Sequence, residues 1–418
     1  MRHSGKLGPS ANLEIAGWLT VLGWQAFVAS VGYLNGTMLQ GLIILTDSTY
    51  DPKPWQNVML YWAVILFAIS INTVVSSWLP RFEAIILILH VLGFFGILFP
   101  LIILGPHTPA SEVFEHFING GDWPTNGLSF FVGLLGNVFA FFGADGAIHM
   151  AEEIQNAAVV VPRAITFSIF LNGTLGLGMA LALLFCIGDI NAALNTTTHF
   201  PFMEIFNQAV QNRTGAALMT SIVIFLSLCA TVGQAASASR QLWAFSRDRA
   251  VPGWRYLQRV NARSAIPVVA IAVTTIIPCL LALIILGSST AFNDIVSLAV
   301  VGLFGSYFIV AVLLFWRRVR GDITPYTTDS ALTNVPGAQL TWGPWRVPGL
   351  LGTVTNGVAI VYLMVIFFFC LWPPSNHPTA ATMNYSSLML GATMIFSVVY
   401  YFAWARNVYS GPVIQIDR

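Results

Sequence analysis

Charge is what this sequence has least of. Asp, Glu, Lys and Arg make up 8% of its 418 residues, against 56% hydrophobic ones, and the mean hydropathy is +0.75. So little charge does not suit a soluble domain of this size, and the chain is expected to be a polytopic membrane protein. A net charge of +1 leaves no electrostatic footprint for a nucleic-acid partner. Cysteine is scarce as well. Cys186, Cys229, Cys279 and Cys370 all fall inside apolar runs, which excludes a disulfide framework or a CxxC metal pattern and predicts buried thiols. The sequence has no H-E-x-x-H, no G-x-S-x-G and no grouped His/Asp ligands, so neither an enzyme nor a metal or cofactor is expected. The nearest grouping is His149 with Glu152 and Glu153. A short apolar core with a small-residue cleavage site is also missing from the N-terminus, which does not read as a signal peptide.

What the chain has instead is apolar length. Runs able to cross a ~30 Å hydrocarbon core lie at 13–45, 57–78, 81–104, 128–150, 164–187, 216–244, 266–287, 290–316, 348–372 and 381–404, ten in all. The first overshoots that core at ~1.5 Å per residue and is expected to tilt. With the N-terminus inside, sixteen Lys and Arg residues fall on the cytoplasmic side and only Lys53 and Arg213 fall outside. The expected organisation is a cytoplasmic segment at 1–12, one membrane domain at 13–404 and a cytoplasmic tail at 405–418. Sequons at Asn195, Asn212 and Asn384 fall in outside segments, and those at Asn35 and Asn172 fall within spans. The arginines of 240–263 read as topology determinants close to anionic membrane lipid, with Trp243, Trp254 and Tyr256 suited to an interfacial belt.

Residues 128–163, LSFFVGLLGNVFAFFGADGAIHMAEEIQNAAVVVPR, carry the most chemistry. Gly143-Ala144-Asp145-Gly146 interrupts an apolar helix, and paired acids and Pro162-Arg163 follow. A carboxylate at membrane depth is costly, and unwound backbone is tolerated there only against protein or a water-filled cavity. Secondary transporters build midplane substrate sites from such interrupted helices. Phe141, Phe142, Gly143, Ala144, Asp145 and Gly146 are therefore the expected substrate-binding set. Asp145 either binds an amine or a proton beside exposed carbonyls, or merely caps the helix restart at 147–150. Phe141 and Phe142 either gate a cavity or hold a quaternary ammonium by cation–π contact, or they pack against core and lipid.

The remaining candidates concern gating and coupling. Glu152, Glu153 and Arg163 either close an inner gate by ion pairing or form a solvated loop. Pro162 is expected in the first turn of the next helix. His90, in mid-span, is either a proton carrier or a hydrogen-bonded structural histidine. Asp294, beside Asn293, lines a vestibule or caps its helix. Gln25, Ser30, Asn35, Gln234, Ser237 and Ser239 are site candidates or interhelical glue. Gly32-x-x-x-Gly36 predicts a close helix approach.

Four segments carry a family resemblance: GWLTVLGWQAF (17–27), GADGAIHMAEEIQNAAVVVPRAI (143–165), ASASRQLWAFSRDRAVPG (236–253) and TAFNDIVSLAVVGLFGSY (290–307). They resemble the fungal amino acid/choline permeases of the amino acid–polyamine–organocation superfamily, along nearly the whole chain. The resemblance implies an all-α polytopic protein with the LeuT-type inverted-repeat transporter fold. It also implies a secondary-active, proton-coupled importer of a small amine-bearing solute (amino acid, γ-aminobutyrate or choline) working in the plasma membrane. Motif order matches the ten spans to the family's third through twelfth, so the first two family helices are expected to be missing here. Either further sequence lies upstream of Met1, or the chain is a transport-defective truncated paralogue acting as a sensor or regulatory remnant.

Overall fold

The computed structural model describes residues 9–287, 289–327, 340–380 and 382–409; side chains are described from Glu14 onward, and after Gly287 again from Ile295. Asn293 and Asp294, the start of the 1–12 segment and the tail beyond Tyr409 thus lie wholly or partly outside the described residues. The described chain is helical apart from one bridge between Thr324 and Thr341.

The first half runs α1 (Pro9–Thr46), α2 (Pro54–Thr73), α3 (Leu79–Leu104), the short α4 (Ala110–Glu115), α5 (Asn126–Phe139), the single turn α6 (Gly146–His149) and α7 (Ala157–Phe185). The second half runs through two short helices, α8 (Ile190–Leu194) and α9 (Pro201–Val210), to α10 (Arg213–Arg247) and the turn α11 (Trp254–Leu257). It then continues as α12 (Val268–Leu281), α13 (Ser289–Arg320), α14 (Gly349–Phe369) and α15 (Ser386–Ala403). Among the described residues nine helices are long and apolar enough to span a membrane. This is an integral membrane protein.

The fourth expected span, 128–150, is not one continuous helix. Thr125 opens α5 by accepting from the Leu128 N–H, and the helix ends only 14 residues later at Phe139. Gly143 has φ +81°, a left-handed conformation that an L side chain rarely adopts, and the helix cannot run through it. A second boundary also differs. Asn156 takes φ +53° and lets α7 begin at Ala157, so Pro162 sits inside that helix rather than in its first turn.

α1 is the central post, packed on α2, α10, α12, α13 and α15. Glycine sets its closest crossings. A Cβ on Gly302 of α13 would lie 3.0 Å from the Gly23 Cα, so the two backbones touch. Gly32 and Gly36 let Tyr61 of α2 approach equally closely, as their spacing predicts. Polar contacts join the same helices: Gln25 Nε2 donates to Thr274 Oγ1 at 3.0 Å, and Asn35 Nδ2 to Thr231 Oγ1 at 3.1 Å. In membrane proteins such bonds each contribute ~0.6 kcal/mol, up to ~1.7. Both residues thus join α1 to its neighbours. Cys186, Cys229 and Cys370 are buried, Cys279 is half-buried, and all four are free. Asn384 is buried too, its amide donating to the carbonyls of Cys370 and Trp372, so this sequon is not an open acceptor.

Candidate functional site

Asp145 stands where α5 has ended and α6 has not begun. Its Oδ2 accepts from Trp24 Nε1 at 3.1 Å and lies 3.0 Å from His149 Nε2, while the Tyr307 hydroxyl donates to Oδ1. The partners come from three elements: Trp24 from α1, Tyr307 from α13 and His149 from the next turn along α6. The Asp145 carboxylate is 13% exposed and the imidazole 17%. Both oxygens are thus engaged, and the aspartate ties the break to the bundle on two sides. It does not act as a simple helix cap, since it caps no N–H of α6.

The backbone of the break is enclosed just as closely. A Cβ on Gly143 would stand 2.9 Å from the Phe27 ring, and one on Gly146 would stand 2.8 Å from Ser237 Oγ. The Ser237 hydroxyl reaches the Gly146 carbonyl at 3.4 Å, which brings α10 to the site. Only glycine leaves room for these walls. The paired phenylalanines part company here. Phe142 enters an aromatic cluster, 4.7 Å from Phe27 and 5.5 Å from Phe304, whereas Phe141 is 53% exposed and lies towards Gly173 of α7.

Below the break, the acids pair with arginines that the sequence reading had assigned to topology. Glu152 takes both terminal nitrogens of Arg247, at 2.9 and 2.6 Å, and Glu153 accepts from Arg240 Nε at 2.9 Å. Arg240 is 4% exposed, while the guanidinium of Arg247 stacks 4.9 Å from the Trp243 ring. The 3-10 turn Ala151–Glu153 is therefore fastened to the last turns of α10. Arg163 is exposed and makes no ion pair among the described residues, because α10, not α7, supplies the cations.

His90 is half-buried in α3, a helix packed on α7, α9 and α10, and has no hydrogen-bond partner among the described residues. The structure does not bring it into the Asp145 cluster. Glu83, on the same helix and passed over in the sequence, lies 3.3 Å from where a Cβ on Gly233 would stand, one turn of α10 before Ser237. A cavity of about 940 Å³ opens beside α5, walled by Trp123, Phe130, Asn137, Ser297, Phe369 and Trp372. It reaches α5 up to Asn137, and residues 141–146 do not line it. No His/Cys/Asp/Glu group among the described residues could hold a metal ion.

Sequence reasoning missed Trp24, His149, Tyr307, Arg240 and Arg247 as site residues. A signal was present for the first three. Each carries a polar atom within an apolar stretch that must find a partner when buried.

A membrane helix broken at a glycine, with a carboxylate tied to the helices on either side, marks a membrane transporter rather than an enzyme. The amino acid permease family model matches residues 10–395, and the chain belongs to that family. It is 29% identical over 408 residues to an uncharacterized amino-acid permease of Schizosaccharomyces pombe, covering 96% of this chain and 71% of the relative. It is also 27% identical to the choline transporter of Saccharomyces cerevisiae, over 89% of this chain and 63% of that protein. Amino-acid permease 2 of Neurospora crassa is 26% identical, with 97% and 71% covered.

Proposed function

We propose that this chain forms the membrane domain of a secondary-active, proton-coupled importer of a small amine-bearing solute: an amino acid, γ-aminobutyrate or choline. In this reading the fold is the LeuT-type inverted repeat, the arginine-rich end faces the cytoplasm, and the host membrane is the plasma membrane. The single observation that carries it is Asp145, held at a helix break by donors from α1 and α13. Family membership and the names of relatives in two substrate classes, amino acids and choline, support the solute class.

The chemistry follows from the donor set. An ionised carboxylate accepts only, and it keeps Trp24, Tyr307 and an Nε2-protonated His149 together. A proton placed on Asp145, or an ammonium group drawn to it, changes which of these bonds can form. α5 and α6 can then move relative to α1 and α13. Phe142 and Phe27 lie beside the break, where an ammonium group would meet ring faces. The Glu152–Arg247 and Glu153–Arg240 pairs hold the inner end shut until that shift occurs. In this reading the exposed apolar faces of α3 and α7 meet lipid.

The test is uptake of radiolabelled choline, γ-aminobutyrate and amino acids by cells expressing the chain, with surface expression measured alongside. Asp145→Asn keeps the shape of the side chain but removes the charge, and it is expected to lower uptake at least tenfold while surface expression is unchanged. Normal uptake by that variant removes the site assignment. If the inserted wild-type chain moves none of these solutes, the importer reading itself falls.

A further inference from the structure

The arginine-rich end holds a second built pocket, far in sequence from the helix break. We propose that this pocket, between the end of α13 and the start of α14, binds a phosphate oxyanion, either the headgroup of an anionic phospholipid or free phosphate. Its volume is about 270 Å³, and Arg318, Ile323, Trp342, Arg346, Gly349 and Thr353 are among its walls.

Local structure presets the two cations. The Thr324 N–H donates to the Leu340 carbonyl (2.9 Å) and the Thr324 carbonyl accepts from the Trp342 N–H (3.0 Å), which fixes Trp342 beside α13. Arg318 then stacks 4.6 Å from the centre of the Trp342 ring, and Arg346 lies 5.8 Å from it. Arg318 is further held by donating to the Val347 carbonyl at 3.2 Å. Gly352 leaves space for that guanidinium: a Cβ there would stand 2.0 Å from Arg318 Nη1 and 2.2 Å from the Val347 carbonyl oxygen.

Among the described residues charge is unbalanced here. Arg317, Arg318, Arg320 and Arg346 share this end, and the one ion pair described among them is Arg317 with Asp322 at 3.1 Å. Arg320 stacks instead on Trp316, 4.4 Å from its centre. The pocket walls include no carboxylate among the described residues. Arg346 Nη1 is shielded from solvent and has no acceptor among the described residues. A buried guanidinium donor without a partner is costly, and a ligand oxygen is the simplest partner for it. Planar guanidinium groups suit phosphate because they offer paired N–H donors. The first turn of α14, with Gly349 at its start, adds the positive end of a 21-residue helix. Trp316 and Trp342 suit an interfacial position, at the depth where lipid phosphates lie.

The experiment is native mass spectrometry of the intact chain released from detergent with defined lipids, paired with thermal melting. Wild type, Arg346→Gln, Arg346→Lys and Arg320→Gln are compared with phosphatidylglycerol, phosphatidylcholine and inorganic phosphate as probes. For a lipid source, wild type retains one phosphatidylglycerol about five- to tenfold better than phosphatidylcholine. Arg346→Gln loses that preference, while Arg346→Lys keeps part of it and Arg320→Gln keeps all of it. For a free-phosphate source, millimolar phosphate raises the melting temperature of wild type and Arg320→Gln but not of Arg346→Gln, and lipid charge makes no difference. Equal lipid retention and equal phosphate response in wild type and Arg346→Gln overturn the proposal. The Lys variant separates loss of charge from loss of folding, since it preserves the cation whatever the packing change.

Discussion

Four residues at the break do three different physical jobs. Asp145 supplies charge, Tyr307 and Trp24 supply donors from two neighbouring helices, and Gly143 supplies a backbone angle. The last is the easiest to isolate. At φ +81°, with a Cβ position 2.9 Å from the Phe27 ring, Gly143 meets both strain and collision on substitution. Gly143→Ala is expected to destabilise the protein by ~1–3 kcal/mol, read as a lower melting temperature in detergent. Gly136 is the matched control, because it lies in α5 with nothing within 4 Å of its Cβ position. Gly136→Ala should leave the melt unchanged or raise it slightly, by up to ~1 kcal/mol. Equal behaviour of the two variants would mean that the turn geometry at 143 does not matter. At this scale the sequence showed the break but not what surrounds it. Gly143, Asp145 and Gly146 form a local pattern, legible at once. Trp24 and Tyr307 lie 121 and 162 positions from Asp145, and nothing short-range marks them as its partners.

At the scale of elements, the instructive feature is how the short turn after α6 is fastened to α10. The two ion pairs are unequal. Glu152 and Arg247 sit towards solvent, whereas Arg240 is almost wholly enclosed. Exposed pairs contribute ~0–1 kcal/mol. Losing the partner of an enclosed guanidinium costs more, ~1–3 kcal/mol, because the cation stays behind with only Ser239 Oγ at 3.4 Å. Glu153→Gln should therefore lower the melting temperature more than Glu152→Gln, and Arg240→Gln combined with Glu153→Gln should recover part of the loss. A double-mutant cycle with no coupling would show that the pair does not fasten the turn. Hydropathy averages over a window and so counts 128–150 as one span, while the break inside it shows in the Gly143-Ala144-Asp145-Gly146 pattern instead. Arg163, with Glu152 and Glu153, reads from the sequence either as part of an ion-paired gate or as a solvated loop. Chain proximity favoured α7, while the fold delivers the end of α10.

For the whole molecule, the question is which way round it sits. Arg240, Arg247, Arg317, Arg318 and Arg346 fall, in the proposed orientation, on the cytoplasmic side of the spans, and Lys53 and Arg213 fall on the other. In the proposed orientation Asn195 is exposed on the outer side, whereas Asn384 is buried with its amide already spent on two backbone carbonyls. Expression in a glycosylating host should give a mobility shift that Asn195→Gln reduces, Asn195→Gln with Asn212→Gln removes, and Asn384→Gln leaves unchanged. A shift that survives Asn195→Gln but disappears with Asn384→Gln would contradict the buried amide. Fold class was the most legible property of all, since 8% charge leaves few alternatives to a membrane bundle. Helix neighbours were not legible, because they are chosen by glycine contacts and single polar bonds that composition does not record.

The Gly23–Gly302 contact has one more consequence. Two backbones in direct touch have no side chains between them to slide or re-pack, so α1 and α13 are expected to move as one unit. A spin label on each should then give a distance that stays constant through the proposed transport cycle. That pair is a fixed ruler inside the protein, against which labels on α5 or α7 can be read as true displacement.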